Sequence, residues 1–194
     1  MLTRVSGQPT IKRHHIVARG HHRTCYRHPD EPGRCIKIEH KVDTSALNRL
    51  EWSYYEFLHR RRVPLTHIAA CHGWIETNRG RGLVFDRVTV DGHPDSPIET
   101  LEQAILNRTL SRADIASSVA ELAVYLRRHG LIWSDENPGN LCVVRHPSLR
   151  LVIVDGLGGR LNKNIKYRII RSSRLFPAGT PSRKYGGCTP AWRT

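Results

Sequence analysis

The chain has 194 residues, 39% of them apolar and 25% charged, with a formal net charge of +14 and a sequence pI near 10.3. That length suits one domain or two small lobes that share a site, with enough buried surface for a real core. No apolar run approaches the roughly 18 residues of a membrane span, and the N-terminus "MLTRVSGQPTIKRHHIV" lacks the apolar heart of a secretory signal, so a cytoplasmic protein is expected.

The positive charge is uneven. From Gly156 to Thr194 there are nine Lys or Arg and no Asp or Glu, so this segment supplies +9 of the +14. Such a field gathers anions: nucleotide phosphates, nucleic acid, acidic lipids or an acidic partner. A solubilising tail is the plain alternative. The five cysteines, at 25, 35, 71, 142 and 188, are odd in number and form no C-x-x-C. They predict a reducing compartment without disulfides, with Cys35 and Cys142 as small core residues inside apolar runs.

In chain order, residues 1–14 are polar and are expected to be loose. "HHIVARG" and "TCYRHP" predict two short strands, "DEPG" a turn, and "RCIKIEH" a third strand with Cys35, Ile36 and Ile38 as its apolar members. "SALNRLEWSYYEFLHRR" predicts a helix. Leu47, Leu50, Tyr54, Phe57 and Leu58 form its stripe, Thr44 or Ser45 its N-cap, and Pro64 follows its basic end. "CHGWIET", the turn "NRGR" and "GLVFDRV" predict a hairpin. A first unit over 15–90 would then hold five strands and one helix.

The stretch "DGHPDSP" at 91–97 breaks the pattern and is the expected lobe boundary. "SRADIASSVAELAVYLRRHG" then predicts a strong helix. Ser111 begins a capping box with Asp114, Ile115, Val119, Leu122 and Leu126 form the buried stripe, and Gly130 closes it. After the polar loop "WSDENPGN" come strands at "LCVV" and "LVIVD" joined by a short turn. "NKNIKYRIIRSSRLF" is expected to be a helix, with little order beyond Pro177.

Three groups in this order suggest chemistry. Asp135 and Asn140 share the polar loop, and Asp155 ends the strand that pairs with "LCVV". Hairpin pairing would bring Asn140 and Asp155 to one end of two adjacent strands, where two oxygen donors suit Mg²⁺. Asp135 would face a substrate hydroxyl and take its proton. Taken alone, a loop whose Asx side chains bond their own backbone explains these residues as well. Lys37 stands in an apolar strand, where a buried ammonium needs a partner, and Glu51 on the next helix can be that partner. An edge-strand Lys reaching for water is the alternative. Strand Lys, helix Glu, loop Asp and Asn, then strand-end Asp is the ordered set used for phosphoryl transfer from MgATP.

With "CYRHPDEPGRCIKIEH", "RLEWSYYEFLHRR" and "NPGNLCV", residues 15–160 resemble the protein-kinase-like superfamily, and within it the PhoP regulatory network protein family, the YrbL-like proteins. The resemblance implies an α+β, compact, bilobal kinase-like fold. It has a five-stranded antiparallel N-lobe with one helix (15–90), a reduced, mainly helical C-lobe (91–161) and a basic C-terminal segment (162–194). It implies ATP and Mg²⁺ as cofactors and a small-molecule or protein acceptor. Carried over, Lys37 matches the strand Lys of V-A-I-K and Glu51 its helix Glu. Gly20 is what remains of the phosphate loop, and Phe85 to Val88, with Asp86 between, match the hinge that meets adenine. Asp135 and Asn140 match the catalytic-loop Asp and Asn, and Asn140 and Asp155 the metal ligands.

The departures are specific. His21, His22 and Arg23 replace permissive residues of the phosphate loop. Trp133 and Ser134 stand for the catalytic-loop His and Arg, and Asn137 for the Lys that serine/threonine kinases place on the transferring phosphate. "DGLGG" stands for D-F-G and no A-P-E follows. "DENPGN" is closer to the loops of small-molecule kinases such as aminoglycoside phosphotransferases. The alternatives are a regulatory pseudokinase that binds nucleotide without transfer and, below it, a basic nucleic-acid-binding protein. The latter would use Tyr167, Phe176, Tyr185 and Trp192 in the tail to stack on bases. A metal site from His21, His22, Cys25 and His28 is open on composition, though its spacing matches no standard zinc pattern.

Overall fold

The structure, a computed structural model, describes residues 8–40, 46–90 and 93–158. The fold is α+β and is built on a five-stranded antiparallel sheet. Its strands are β1 (Ile16–Arg19), β2 (Arg23–Arg27), β3 (Arg34–Glu39), β4 (Cys71–Thr77) and β5 (Gly80–Asp86), in the spatial order β1-β2-β3-β5-β4. This is the sheet the sequence predicts. The central strand β3 is buried on both faces, which explains its near-continuous apolar run. Its register places Lys37 opposite Cys25 and Leu83, and Ile36 opposite Tyr26 and Val84. Because side chains alternate, Cys35 and Lys37 share one face with Cys25, Leu83 and Phe85, while Ile36 and Ile38 turn to the other.

That other face is covered by Ile11, so the expectation that residues 1–14 are loose fails for 8–14; residues 1–7 lie outside the described residues. Ile11 is 1% exposed and packs with Tyr26, Ile36, Ile38 and Val84. Its N–H donates to Asn78 Oδ1 at 2.8 Å, and its carbonyl accepts from Asn78 Nδ2 at 3.3 Å and Arg79 Nε at 3.1 Å. A single apolar residue among polar neighbours carries the contact, and burying one such side chain contributes about 1.5–3 kcal/mol.

The inner face carries α1 (Ala46–Arg60). Tyr54, Tyr55 and Leu58 are buried, with Leu47, Leu50 and Phe57 half-buried beside them. Two polar residues, Asn48 and Glu51, are also buried on this helix. The N-cap expected at Thr44 or Ser45 lies outside the described residues. Within them, Glu39 Oε1 accepts the Asn48 N–H at 2.6 Å and serves the donors of the first turn.

Where a break was expected at 91–97, β7 (His93–Pro97) pairs with β6 (Thr89–Val90) as a short hairpin. Then follow α2 (Leu101–Leu106), α3 (Arg112–His129) and the hairpin of β8 (Leu141–Val144) and β9 (Arg150–Ile153). At the start of α3, Ser111 Oγ accepts the Asp114 N–H at 3.1 Å, and Gly130 ends the helix in the left-handed region at φ 60°. The buried face of α3 is rotated from the predicted stripe. Leu122, Tyr125 and Ser118 are buried, Ile115 and Leu126 are half-buried, and Val119 is 42% exposed. The reason is Tyr125, whose hydroxyl donates to the Pro64 carbonyl at 2.7 Å and turns its side of the helix inward.

One core joins the two halves. Tyr54, Leu58, Leu83 and Phe85 pack in the same cluster as Leu131, Leu141, Val143, Leu151, Ile153 and Leu157. The backbone is tied across too, with Ala69 N–H donating to the Ile153 carbonyl at 3.0 Å and Ile153 N–H to the His67 carbonyl at 2.9 Å. The end of β9, and with it Asp155, is thereby fixed against the sheet. The helix expected at 162–176 and Cys188 lie outside the described residues.

Candidate functional site

The inner face of the sheet, the start of α1 and the two loops at 134–140 and 155–157 enclose a cleft of about 660 Å³. Gly20, Arg23, Lys37, Glu51, Asp135, Asn140 and Asp155 all line it.

Lys37 lies at its base, 6% exposed, with Glu51 at 3%. Its Nζ donates to Glu51 Oε1 at 3.1 Å and to the Val154 carbonyl at 2.7 Å, and stands 3.4 Å from Asp155 Oδ1. It also sits 4.2 Å above the centre of the Phe85 ring, a favourable place for a desolvated cation. Burial works against the ammonium, but Glu51 and then Asp155 reverse that and hold its pKa above the ordinary value. Lys37 is therefore a fixed, permanent charge. The expected pairing with Glu51 is present, and the alternative of a lysine reaching for water is set aside by its burial.

Asp155 follows β9. Burial pushes its pKa up, but Lys37, Arg23 and the Gly156 N–H, which donates to Oδ1 at 2.8 Å, outweigh it and hold the carboxyl below its ordinary 3.8. Asp135 and Asn140 face it from the other loop. Asn140 Nδ2 donates to Asp135 Oδ2 at 3.0 Å and reaches the Asp135 carbonyl at 3.4 Å. Asn137 accepts the Gly139 N–H at 2.9 Å, an Asx turn that shapes the loop around Pro138.

The loops at 132–135 and 155–158 are zipped together. Ser134 N–H donates to the Gly156 carbonyl at 2.9 Å, Ser134 Oγ to the same atom at 3.0 Å, and Gly158 N–H to the Ile132 carbonyl at 3.0 Å. Trp133 Nε1 donates to the Asp155 carbonyl at 3.1 Å. Trp133 and Ser134 thus hold the Asp155 segment in place. Gly156 takes φ 85°, and a Cβ there would come 2.6 Å from Asp135 Cβ. A glycine is required for the chain after Asp155 to pass this close to Asp135.

Arg23 is the residue the sequence reading undervalued. It opens β2 and turns into the cleft, its side chain 14% exposed. Nη1 donates to Glu51 Oε2 and, at 3.1 Å, to Asn48 Oδ1, while Nη2 donates to Asp155 Oδ1. Asn48 in turn donates through Nδ2 to the Lys37 carbonyl at 3.1 Å. A buried Asn on an amphipathic helix is the one sequence signal that was available for Asn48. For Arg23, the replacement of a permissive loop residue was the signal.

The remaining predicted residues are placed as follows. Gly20 lies on the cleft, and its N–H donates to the Arg23 carbonyl at 2.8 Å, closing the turn between β1 and β2. Phe85 is buried beneath Lys37 and against Tyr55 rather than on the cleft wall. Asp86 is exposed with Oδ1 2.5 Å from His72 Nε2, and Val88 packs with Ala69, Val144 and Val152. The set His21, His22, Cys25 and His28 is not gathered. His28 sits at the far end of β2, where its Nδ1 accepts the Asp30 and Glu31 N–H groups. Among the described residues, no group of three or more His, Cys, Asp or Glu is arranged to hold a metal ion. Burial raises the Cys71 thiol to about 11 and Cys142 to about 12, as befits core thiols.

For a hard divalent cation, Asn140 and Asp155 are suitable in type. Asp155 is an ionised carboxylate, and with the Asn140 nitrogen on Asp135 the amide oxygen is the donor left for a cation. None of the described helices is long and apolar enough to cross a membrane.

Known proteins similar to this chain are found by sequence and by fold. The family model described as PhoP regulatory network protein YrbL matches residues 10–176. YrbL of Escherichia coli (strain K12) is 32% identical over 145 residues, covering 72% of this chain and 68% of that protein, and YrbL of Shigella flexneri matches to the same extent. Among solved structures, a point mutant of the Mycobacterium tuberculosis PknI kinase domain aligns with 18% identity and a TM-score of 0.49. The alignment covers 75% of this chain, which spans only 58% of that one. WbdD, crystallised with a kinase inhibitor, aligns over 70% of this chain and 31% of its own, with 16% identity and a TM-score of 0.46. With a family model spanning most of its length and relatives about one-third identical, the chain belongs to the PhoP regulatory network protein YrbL family.

Proposed function

We propose that this protein is an ATP-dependent phosphotransferase acting on a small-molecule or protein acceptor. The observation that carries the reading is the buried Lys37–Glu51 pair, 3.1 Å apart, on the same cleft as Asp135, Asn140 and Asp155. Phosphoryl transfer asks little covalent chemistry of a protein; it asks for positioned charge. In this reading Lys37, held by Glu51 and by the Val154 carbonyl, takes the α and β phosphates. Asp135 orients the acceptor hydroxyl and receives its proton at the carboxylate. Asn140 keeps that carboxylate in place through Nδ2, and together with Asp155 provides oxygen donors for Mg²⁺. When bound, Mg²⁺ supplies charge neutralisation between the phosphates.

Thermal unfolding with and without MgATP tests this. Ligand at 100 times its Kd adds about 2.7 kcal/mol to stability, an upward shift of several degrees. ATP turnover that Asp135→Ala abolishes while the MgATP shift persists supports transfer. No shift at any MgATP concentration sinks the nucleotide reading.

One observation favours a second reading. The guanidinium of Arg23 lies on Glu51 and Asp155 together, an arrangement that suits a regulatory protein that binds nucleotide and transfers nothing. A MgATP shift without turnover in the wild type selects it.

A further inference from the structure

The cleft holds four charges that cancel: Lys37 and Arg23 against Glu51 and Asp155. Three of the four are at most 14% exposed at the side chain, and Asp155 is 39% exposed. Arg23 is tied at both ends of its fork, with Nη1 on Glu51 and Nη2 on Asp155. Hydrogen bonds between ionised groups are the strong kind, and a guanidinium keeps its charge in any protein environment. Asp155 thus has a resident cation supplied by the chain itself. A divalent cation arriving at Asp155 has to compete with Arg23. With Arg23 in place the quartet is neutral and offers such a cation little attraction; without it, two carboxylates face one lysine.

Arg23 would leave Asp155 only for another anion. A phosphate is an anion that a guanidinium fork matches as it does a carboxylate, and the turn at Gly20, His21 and His22 lines the same cleft directly before Arg23. We propose that Arg23 is a phosphate-binding residue that competes with divalent metal for Asp155. A polyphosphate chain takes Arg23 together with Lys37, and only then is the Asp155 carboxylate released to a metal ion. Anion binding therefore needs no metal, and metal binding needs the anion first. The inference rests on the nucleotide reading above and adds an order of events to it.

The test is calorimetric titration of the full chain with ATP in EDTA, with MgATP, with Mg²⁺ alone and with inorganic tripolyphosphate in EDTA, in the wild type, Arg23→Gln and Arg23→Lys. The wild type is expected to bind ATP in EDTA and to show no binding of Mg²⁺ alone. Arg23→Gln is expected to weaken ATP binding in EDTA by about 10- to 100-fold, the loss of charged hydrogen bonds, and to gain binding of Mg²⁺ alone. Arg23→Lys keeps the charge and loses the fork. It weakens metal-free ATP less and still excludes Mg²⁺, and it carries the test if the Gln variant fails to fold. Tripolyphosphate binding as tightly as ATP assigns Arg23 to the phosphate chain from either source, whereas ATP binding alone assigns it to a nucleotide; the proposal stands in both cases. Unchanged metal-free ATP binding in both variants, or Mg²⁺ binding alone to the wild type, overturns the proposal and leaves the nucleotide reading intact. A wild type that binds neither ATP nor MgATP removes the nucleotide reading itself, and the proposal with it.

Discussion

The two walls of the cleft are built on opposite principles. The sheet-side wall is buried and cross-bonded: Lys37, Glu51, Arg23 and Asn48 each satisfy one another, and most of their surface is withdrawn from water. The loop-side wall is open: Asp135 and Asn137 are exposed and their side-chain hydrogen bonds are short-range, within the loop itself. A rigid wall fixes charge, and an accessible one leaves its polar groups open to solvent. This difference makes the stability of the fold and the chemistry of the site separable by mutation.

The largest effect is expected on the buried wall. Lys37→Met leaves Glu51 with Arg23 alone and should cost about 3 kcal/mol, the penalty of breaking a buried ion pair, read from urea unfolding. A loss below the error of that measurement would mean the wall is not electrostatically closed. Next is the seam between the walls. Gly156→Ala puts a methyl 2.6 Å from Asp135 Cβ at φ 85°, and should cost about 1–3 kcal/mol through strain and overpacking while displacing Asp135. Unfolding free energy and ATP turnover should both fall in this variant; intact turnover would show that the close passage of Gly156 beside Asp135 is not needed.

The third effect is pH dependence. The Asp155 carboxyl is held below its ordinary 3.8, so its contribution is complete above the unfolded-state value and is lost as pH falls through the folded one. A thermal midpoint measured across acid pH should fall less steeply in Asp155→Asn than in the wild type. Identical acid slopes would remove Asp155 from the electrostatic frame. The smallest effect on stability belongs to the open wall. Asp135→Asn should change unfolding free energy by less than about 0.5 kcal/mol, as for an exposed site without buried partners, and yet abolish turnover.

The same contrast explains what was legible in the sequence. Local signals were readable because their causes are local: the Ser111 cap, the Gly130 stop, and the strand pattern around "RCIKIEH" each lie within a few residues of their effect. Lys37 was readable because an ammonium in an apolar strand needs a partner, and Glu51 lay one turn inside the next helix. Ile11 was not, since its partners Asn78 and Arg79 are more than 60 residues away. Val119 was misplaced because helical spacing alone could not show that the Tyr125 hydroxyl would find the Pro64 carbonyl. Arg23 stood in a polar turn where an arginine ordinarily meets water, and its bond to Asp155 spans 132 residues.

The Trp133 indole, bonded to the carbonyl of Asp155, makes the site optically self-reporting. Whatever moves that aspartate alters the surroundings of a fluorophore 3.1 Å from its backbone. Of the other three tryptophans, Trp52 and Trp74 belong to α1 and β4 and Trp192 lies outside the described residues, so the difference between wild-type and Trp133→Phe emission reads the contribution of Trp133. Occupancy can then be followed in solution without a label, an acceptor or a completed reaction.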